Sequence, residues 1–215
     1  MPFPNLRVAE AGATRRTWTP GGLILAVSCW LALAGNLPLW RAIWPLPELA
    51  GWRGVLFACG MFVWIAAALQ MLLSLLAWRG VLKPALLLLL VTAAASSYFM
   101  LQYGVVIDAT MMANVAHTDV REVRDLLSWS LLLSFVVIAL LPGWWVLRQR
   151  LALRHLGAQA LRNLAGAVVA LLVLLAVTLL AFQDLASLMR NHKQVRYLVN
   201  PLNTLYASGK LALDQ

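Results

Sequence analysis

Charge is scarce in this chain. Only 12% of its 215 residues are Asp, Glu, Lys or Arg, about half the share of a soluble domain. With 62% hydrophobic residues and a mean hydropathy of +0.81, a water-soluble fold could not hide its apolar surface, whereas a bilayer can. Cysteine is nearly absent. Cys29 and Cys59 both fall inside apolar runs, without CxxC or Cys/His spacing, so a disulfide framework and a thiolate metal site are not expected. Both read as buried small hydrophobes. The eight acids avoid the centres of the apolar runs, which argues against the intramembrane relay of a pump or transporter. There is no G-x-S-x-G, H-E-x-x-H, P-loop or GxGxxG, so no catalytic or metal-binding constellation is legible.

What is abundant is apolar run and interfacial aromatic. Five stretches, roughly 22–41, 54–78, 85–103, 129–147 and 164–183, are long enough to cross about 30 Å of hydrocarbon. Ten Trp residues include Trp40, Trp44, Trp52, Trp78, Trp129, Trp144 and Trp145 near the run ends, where aromatic belts anchor spans. Arg15-Arg16, an apolar run and Ala32-Leu33-Ala34 have the form of a signal peptide. The run continues to Trp40, however, so an uncleaved signal-anchor is expected. The fold class is therefore all-α, a polytopic membrane protein with five transmembrane helices.

Loop charge sets the orientation. The N-terminus, 79–84 and 148–163 hold nine Lys and Arg against Glu10 alone, while 42–53, 104–128 and 184–215 carry the remaining acids. The first set is expected in the cytoplasm, with the C-terminus outside. The expected organisation is a cytoplasmic N-terminus 1–21, a transmembrane domain 22–183 and an outer segment 184–215. The net charge of +9 belongs to topology and anionic lipid contact, and no nucleic acid is expected as a partner.

Two outer segments carry chemical information. On a helix at 100° per residue, Met112, Ala113, Ala116, Val120, Val123 and Leu127 share one arc, and Asn114, Thr118, Glu122 and Asp125 another. An interfacial amphipathic helix over about 109–127 is expected, lying in the outer interface. Its polar face makes Asn114, Thr118 and Glu122 candidate binding residues. Asp119 and Glu122 also have capping-box spacing, so a purely structural reading competes. His117 has no partner at metal-ligand spacing. In the tail, Arg190, Lys193, Arg196 and Tyr197 interleave charge with an aromatic, a pattern that suits contact with a phosphate-rich lipid surface.

The string Tyr103-Gly-Val-Val-Ile-Asp108-x-x-Met111-Met112-x-Asn114-Val-x-x-Thr118-Asp119-x-x-Glu122 resembles the hallmark of the lipid A phosphoethanolamine transferases, which include the mobile colistin-resistance enzymes. Asn191-His192-Lys193-x-x-Arg196-Tyr197-x-x-Asn200-Pro201-x-Asn203 resembles the junction after their fifth span. The resemblance implies a bacterial inner-membrane domain joined to a periplasmic catalytic domain, in which zinc and a threonine nucleophile move phosphoethanolamine from phosphatidylethanolamine to lipid A. It implies that Asn114, Thr118 and Glu122 line a lipid head-group pocket. This chain has no candidate nucleophile or zinc ligands and is expected to be the membrane and substrate-docking part alone, inactive by itself, with 184–215 leading toward the catalytic domain. The competing readings are a non-enzymatic five-span scaffold and a small transporter.

Overall fold

The structure, a computed structural model, describes residues 17–49, 51–107, 111, 128–152, 155–192 and 194–213. The helices are α1 (Pro20–Leu33), α2 (Leu37–Ile43), α3 (Trp52–Leu75), α4 (Leu82–Tyr103), α5 (Trp129–Arg148), α6 (Leu156–Leu180), α7 (Phe182–Asn191) and α8 (Leu202–Leu213). No strand occurs among the described residues; one isolated parallel bridge joins Trp18 to Leu151. Local chemistry marks the boundaries. The Thr19 hydroxyl accepts from Gly22 N at 3.1 Å and Pro20 opens α1. The Ser128 hydroxyl accepts from Leu131 N at 3.1 Å at the start of α5. Gly104 closes α4 in the left-handed region at φ 63°, which favours glycine.

Helices α3, α4, α5 and α6 are each long and apolar enough to cross a membrane, and α1 with α2 would make a fifth crossing. The expected single run 22–41 is not one straight helix: α1 and α2 meet at 46°. Gly35 is the close-approach point, since a Cβ there would sit 2.7 Å from Leu31 O and 3.3 Å from Ala93 Cβ. The carbonyls freed by the break find side-chain donors. Asn36 Nδ2 donates to Leu31 O at 2.8 Å, and Trp40 Nε1 donates to Ala32 O and Leu33 O at 3.0 and 3.1 Å. In an apolar surrounding each such carbonyl left bare would cost several kcal/mol. Helix α6 begins at Leu156 rather than near 164, so part of the expected loop 148–163 is helical. The expected interfacial helix 109–127 lies outside the described residues except for Met111, which is helical.

Helix α3 packs along α6 and α1, and α4 along α5. The core runs through Leu23, Ile24, Leu31, Ile65, Leu69 and Leu90, all fully buried. By contrast α6 buries one narrow stripe, Gln159, Asn163, Ala167 and Ala170, and leaves Leu164 and Leu172 exposed. Such a stripe is how a helix faces its neighbours on one side and lipid on the other. Cys29 is half-buried, but Cys59 is exposed on the bundle surface, contrary to the expectation that both are buried. A cysteine counts as a small apolar group, and a lipid-facing surface accepts it as readily as a core does.

In α5 the backbone widens to a π turn over Val136–Leu140, and Trp30 Nε1 of α1 donates to Ile138 O at 3.3 Å. A single π turn displaces carbonyls from their usual partners, and the indole supplies one replacement.

Candidate functional site

The end of the bundle opposite Trp18 is built around a neutral polar junction. Asn36 sits where α1 breaks, and the chain returns to it 164 residues later. Asn36 Nδ2 donates to Asn200 O at 2.6 Å, and Asn200 N donates to Asn36 Oδ1 at 2.8 Å. The Asn200 side chain reaches α4 through Met100 Sδ at 3.3 Å and accepts from the Thr204 hydroxyl at 3.4 Å. The Thr204 and Ser96 hydroxyls share a hydrogen bond of 2.9 Å. Asn36, Ser96, Asn200 and Thr204 are all buried. Asn203 Nδ2 then donates to Ile107 O at 2.6 Å, tying α8 to the strand of backbone that leaves α4. Buried amides are tolerated only when paired, because an unmet donor or acceptor there costs about 1–3 kcal/mol. The tail is therefore fixed on this end of the bundle rather than merely attached to it.

Two cavities flank the junction. One of about 420 Å³ is lined by Met61, Trp64, Thr178, Leu185, Leu202 and Asn203. Trp64 Nε1 donates to the Thr178 hydroxyl at 3.0 Å, which itself donates to Leu174 O at 2.8 Å. That hydroxyl accepts one hydrogen bond and donates another, so it is satisfied on both sides. The other cavity, about 340 Å³, lies between α2, α4 and α5 against Tyr98, Gln102, Ser130 and Ser134. The Tyr98 and Ser128 hydroxyls bond at 2.6 Å beside it. Both cavities are apolar with a few polar corners, the form of a small-molecule or lipid pocket.

The residues singled out from the sequence are unevenly placed. Asn114, Thr118, Glu122 and Lys193 lie outside the described residues, as does the side chain of Arg196. Arg190 is exposed in the last turn of α7, and Tyr197 is half-buried in the 3₁₀ turn Val195–Leu198. The expected pocket and the expected lipid contacts are thus not brought together among the described residues. The junction adds Ser96 and Thr204, which share a hydrogen bond and are not among the residues singled out from the sequence. A usable signal was present: an Asn inside an apolar run is costly enough to require a buried partner.

Among the described residues no three His, Cys, Asp or Glu side chains stand close enough to hold a metal ion. None of the eight acidic side chains falls among the described ones. The resemblance places its zinc in a catalytic domain, outside these residues.

Comparison with known proteins gives a consistent result. The family described as "Phosphoethanolamine transferase EptA/EptB" matches residues 65–215. "Phosphatidylethanolamine transferase Mcr-1" of Escherichia coli is 34% identical over 203 residues, which is 92% of this chain and 36% of that protein. "Phosphoethanolamine transferase EptA" of Escherichia coli K12 is 28% identical over 189 residues, covering 86% of this chain and 34% of that protein. Among solved structures, the integral membrane lipooligosaccharide phosphoethanolamine transferase A of Neisseria meningitidis superposes with a TM-score of 0.84 at 26% identity, over 93% of this chain and 37% of that one. The chain spans about a third of the length of these relatives.

Proposed function

Since the chain belongs to the phosphoethanolamine transferase EptA/EptB family and is a multi-pass membrane protein, we propose that it is the membrane-anchoring and lipid-docking part of a transferase. That enzyme moves phosphoethanolamine from phosphatidylethanolamine to a lipid A phosphate and so lowers polymyxin binding. One observation carries the reading: 93% of this chain superposes on a relative of which it accounts for only 37%.

The physics supports the division of labour. Both substrates are lipids whose phosphates lie at the outer interface, so a membrane domain that holds them there converts a search in two dimensions into a fixed encounter. Glu122 pairs with the ethanolamine ammonium, while Asn114 and Thr118 donate to phosphate oxygens. Arg190, Lys193, Arg196 and Tyr197 meet the lipid surface. The basic excess at 79–84 and 148–163 keeps that end in the cytoplasm of a bacterial inner membrane across five spans. The tail fixed by Asn36 and Asn200 then sets the position of a periplasmic catalytic domain, which carries the zinc and the nucleophile.

The test is mass spectrometry of lipid A from cells expressing this chain joined to the catalytic domain of a relative, and from cells expressing this chain alone. Addition of phosphoethanolamine is expected only for the joined protein. Addition by the chain alone would overturn the assignment of a docking role without chemistry.

A further inference from the structure

At the other end of the bundle, where α1 begins and α3 ends, a cleft of about 550 Å³ opens between α1, α3 and α6. Gly22 and Cys29 line it from α1, Phe62 and Gln70 from α3, and Gly166 and Val173 from α6. Small residues hold it open. Gly166 lies so near α3 that a Cβ would come within 3.2 Å of the Ser74 hydroxyl. From Gly166 to Val173 the cleft follows the helix for about 10 Å at 1.5 Å per residue. It therefore starts near the interface and runs down into the apolar layer.

Two further observations say what fills it. First, this end is cationic. Residues 76–84 and 148–163 contain Arg79, Lys83, Arg148, Arg150, Arg154 and Arg162 and no acid. Lys83 is engaged with Leu147 O and Gln149 O, and the Arg148 guanidinium lies 3.9 Å from the Trp144 ring centroid. Arg162 is exposed, one turn before Gly166 on the same face of α6. Second, Gln70 Nε2 reaches the Ser74 hydroxyl at 3.4 Å while its Oε1 is buried with no partner. A purely apolar occupant, such as the helix face of a second copy, would leave that acceptor unmet. The ester region of a glycerophospholipid carries bound water, which can donate to such an acceptor.

We propose that this cleft is a binding site for an anionic glycerophospholipid of the leaflet on the Trp18 and Leu151 side, with its phosphate on Arg162 and an acyl chain along α6 toward Val173. The site is separate from the junction at the Asn36 end and does not depend on the transferase reading. A lipid seated there bridges α1, α3 and α6, which pack around it.

The experiment is native mass spectrometry of the purified 215-residue chain, delipidated and then given equal amounts of phosphatidylglycerol and phosphatidylcholine. The wild type is expected to retain one phosphatidylglycerol with about a tenfold preference, the worth of one charge-assisted hydrogen bond. Arg162→Gln should bring the ratio close to one. Val169→Trp, which fills the cleft from the exposed face of α6, should lower retention of both lipids. Val168→Trp, on an exposed position outside the cleft lining, should leave both as in the wild type. Melting curves confirm that each variant is folded. Equal retention of the two lipids by the wild type, or a preference that survives both Arg162→Gln and Val169→Trp, overturns the proposal. So does a dimer that Val169→Trp dissolves, because the cleft would then be a contact between copies.

Discussion

At the Trp18 end of the bundle, helix termini are closed by side chains from neighbouring elements. Lys83 Nζ donates to Leu147 O and Gln149 O at 2.9 and 2.8 Å, which neutralises the carbonyl end of α5. Gln159 and Asn163 of α6 both donate to Ala77 O just past α3, at 3.3 and 3.2 Å, and bond to each other at 2.7 Å. At the opposite end, local donors such as Trp40 are joined by a segment that arrives 164 residues after the group it binds, and every member of the junction is neutral. The Gln159 and Asn163 amides are buried and reach across 82 and 86 residues, but they give to a single carbonyl, whereas Asn36 and Asn200 each donate to and accept from the other. A buried amide pair between distant segments holds two parts of the chain in one arrangement, and in an apolar surrounding it has no water to fall back on.

Removing the long-range pair should have the largest effect. Asn36→Leu strips three hydrogen bonds and leaves Asn200 O and N unmet, so a loss of ~2–4 kcal/mol is expected from two bare buried groups. The check is a melting curve in detergent beside limited trypsin digestion at Arg190 and Arg196. Early cleavage in the tail, with the bundle still helical, would confirm that the pair holds the tail; wild-type resistance would break the contrast between the ends.

The next effect sharpens the same contrast on the functional side. In the joined enzyme, Glu122→Gln should cost about 1.5–3 kcal/mol, roughly ten- to a hundred-fold in transfer, because it removes the charge that we propose pairs with the ammonium. Melting should change little, since Gln caps a helix nearly as well as Glu. Undiminished transfer would leave the capping-box reading of Asp119 and Glu122 standing.

Smaller losses are expected at the Trp18 end. Lys83→Met should cost ~0.3–1 kcal/mol, the worth of a cation at a helix C-terminus, read as a small drop in melting temperature with transfer unchanged in the joined enzyme. A drop as large as that of Asn36→Leu would mean that the two ends are equally cooperative. Smallest in energy is a labelling test of orientation. A cysteine at Gly157, an exposed position with open space around its Cα, should react only from the cytoplasm, and one at Ala109 only from the periplasm. Outside labelling at Gly157 would reverse the assignment of the ends.

The helices over most of the apolar runs were legible because each run is continuous and bounded by charge, Pro or Gly. The break at Asn36 was half visible. Gly35, Asn36 and Pro38 interrupt the run in the sequence, but a Pro near a helix start is compatible with continuation or a kink, and the close approach to Ala93 at Gly35 is seen only in the packed bundle. Of the junction at the Asn36 end, the Asn200-Pro201-x-Asn203 string could be read as a motif, while its partners could not. A motif gives residue types at fixed spacing; it does not say which buried group 164 residues earlier will accept them.

The amino-acid sequence alone determined that this chain lives in a bilayer and where it is charged. Both follow from composition and from the order of residues along a run, properties that need no partner to be expressed. That Asn36 meets Asn200, that Thr204 meets Ser96, and that a lined cleft lies between α1, α3 and α6 were decided by the packing of helices far apart in the chain. Hydrogen-bond satisfaction without water is a property of the assembled bundle, since each buried donor is tolerable only at the place where another element supplies its acceptor.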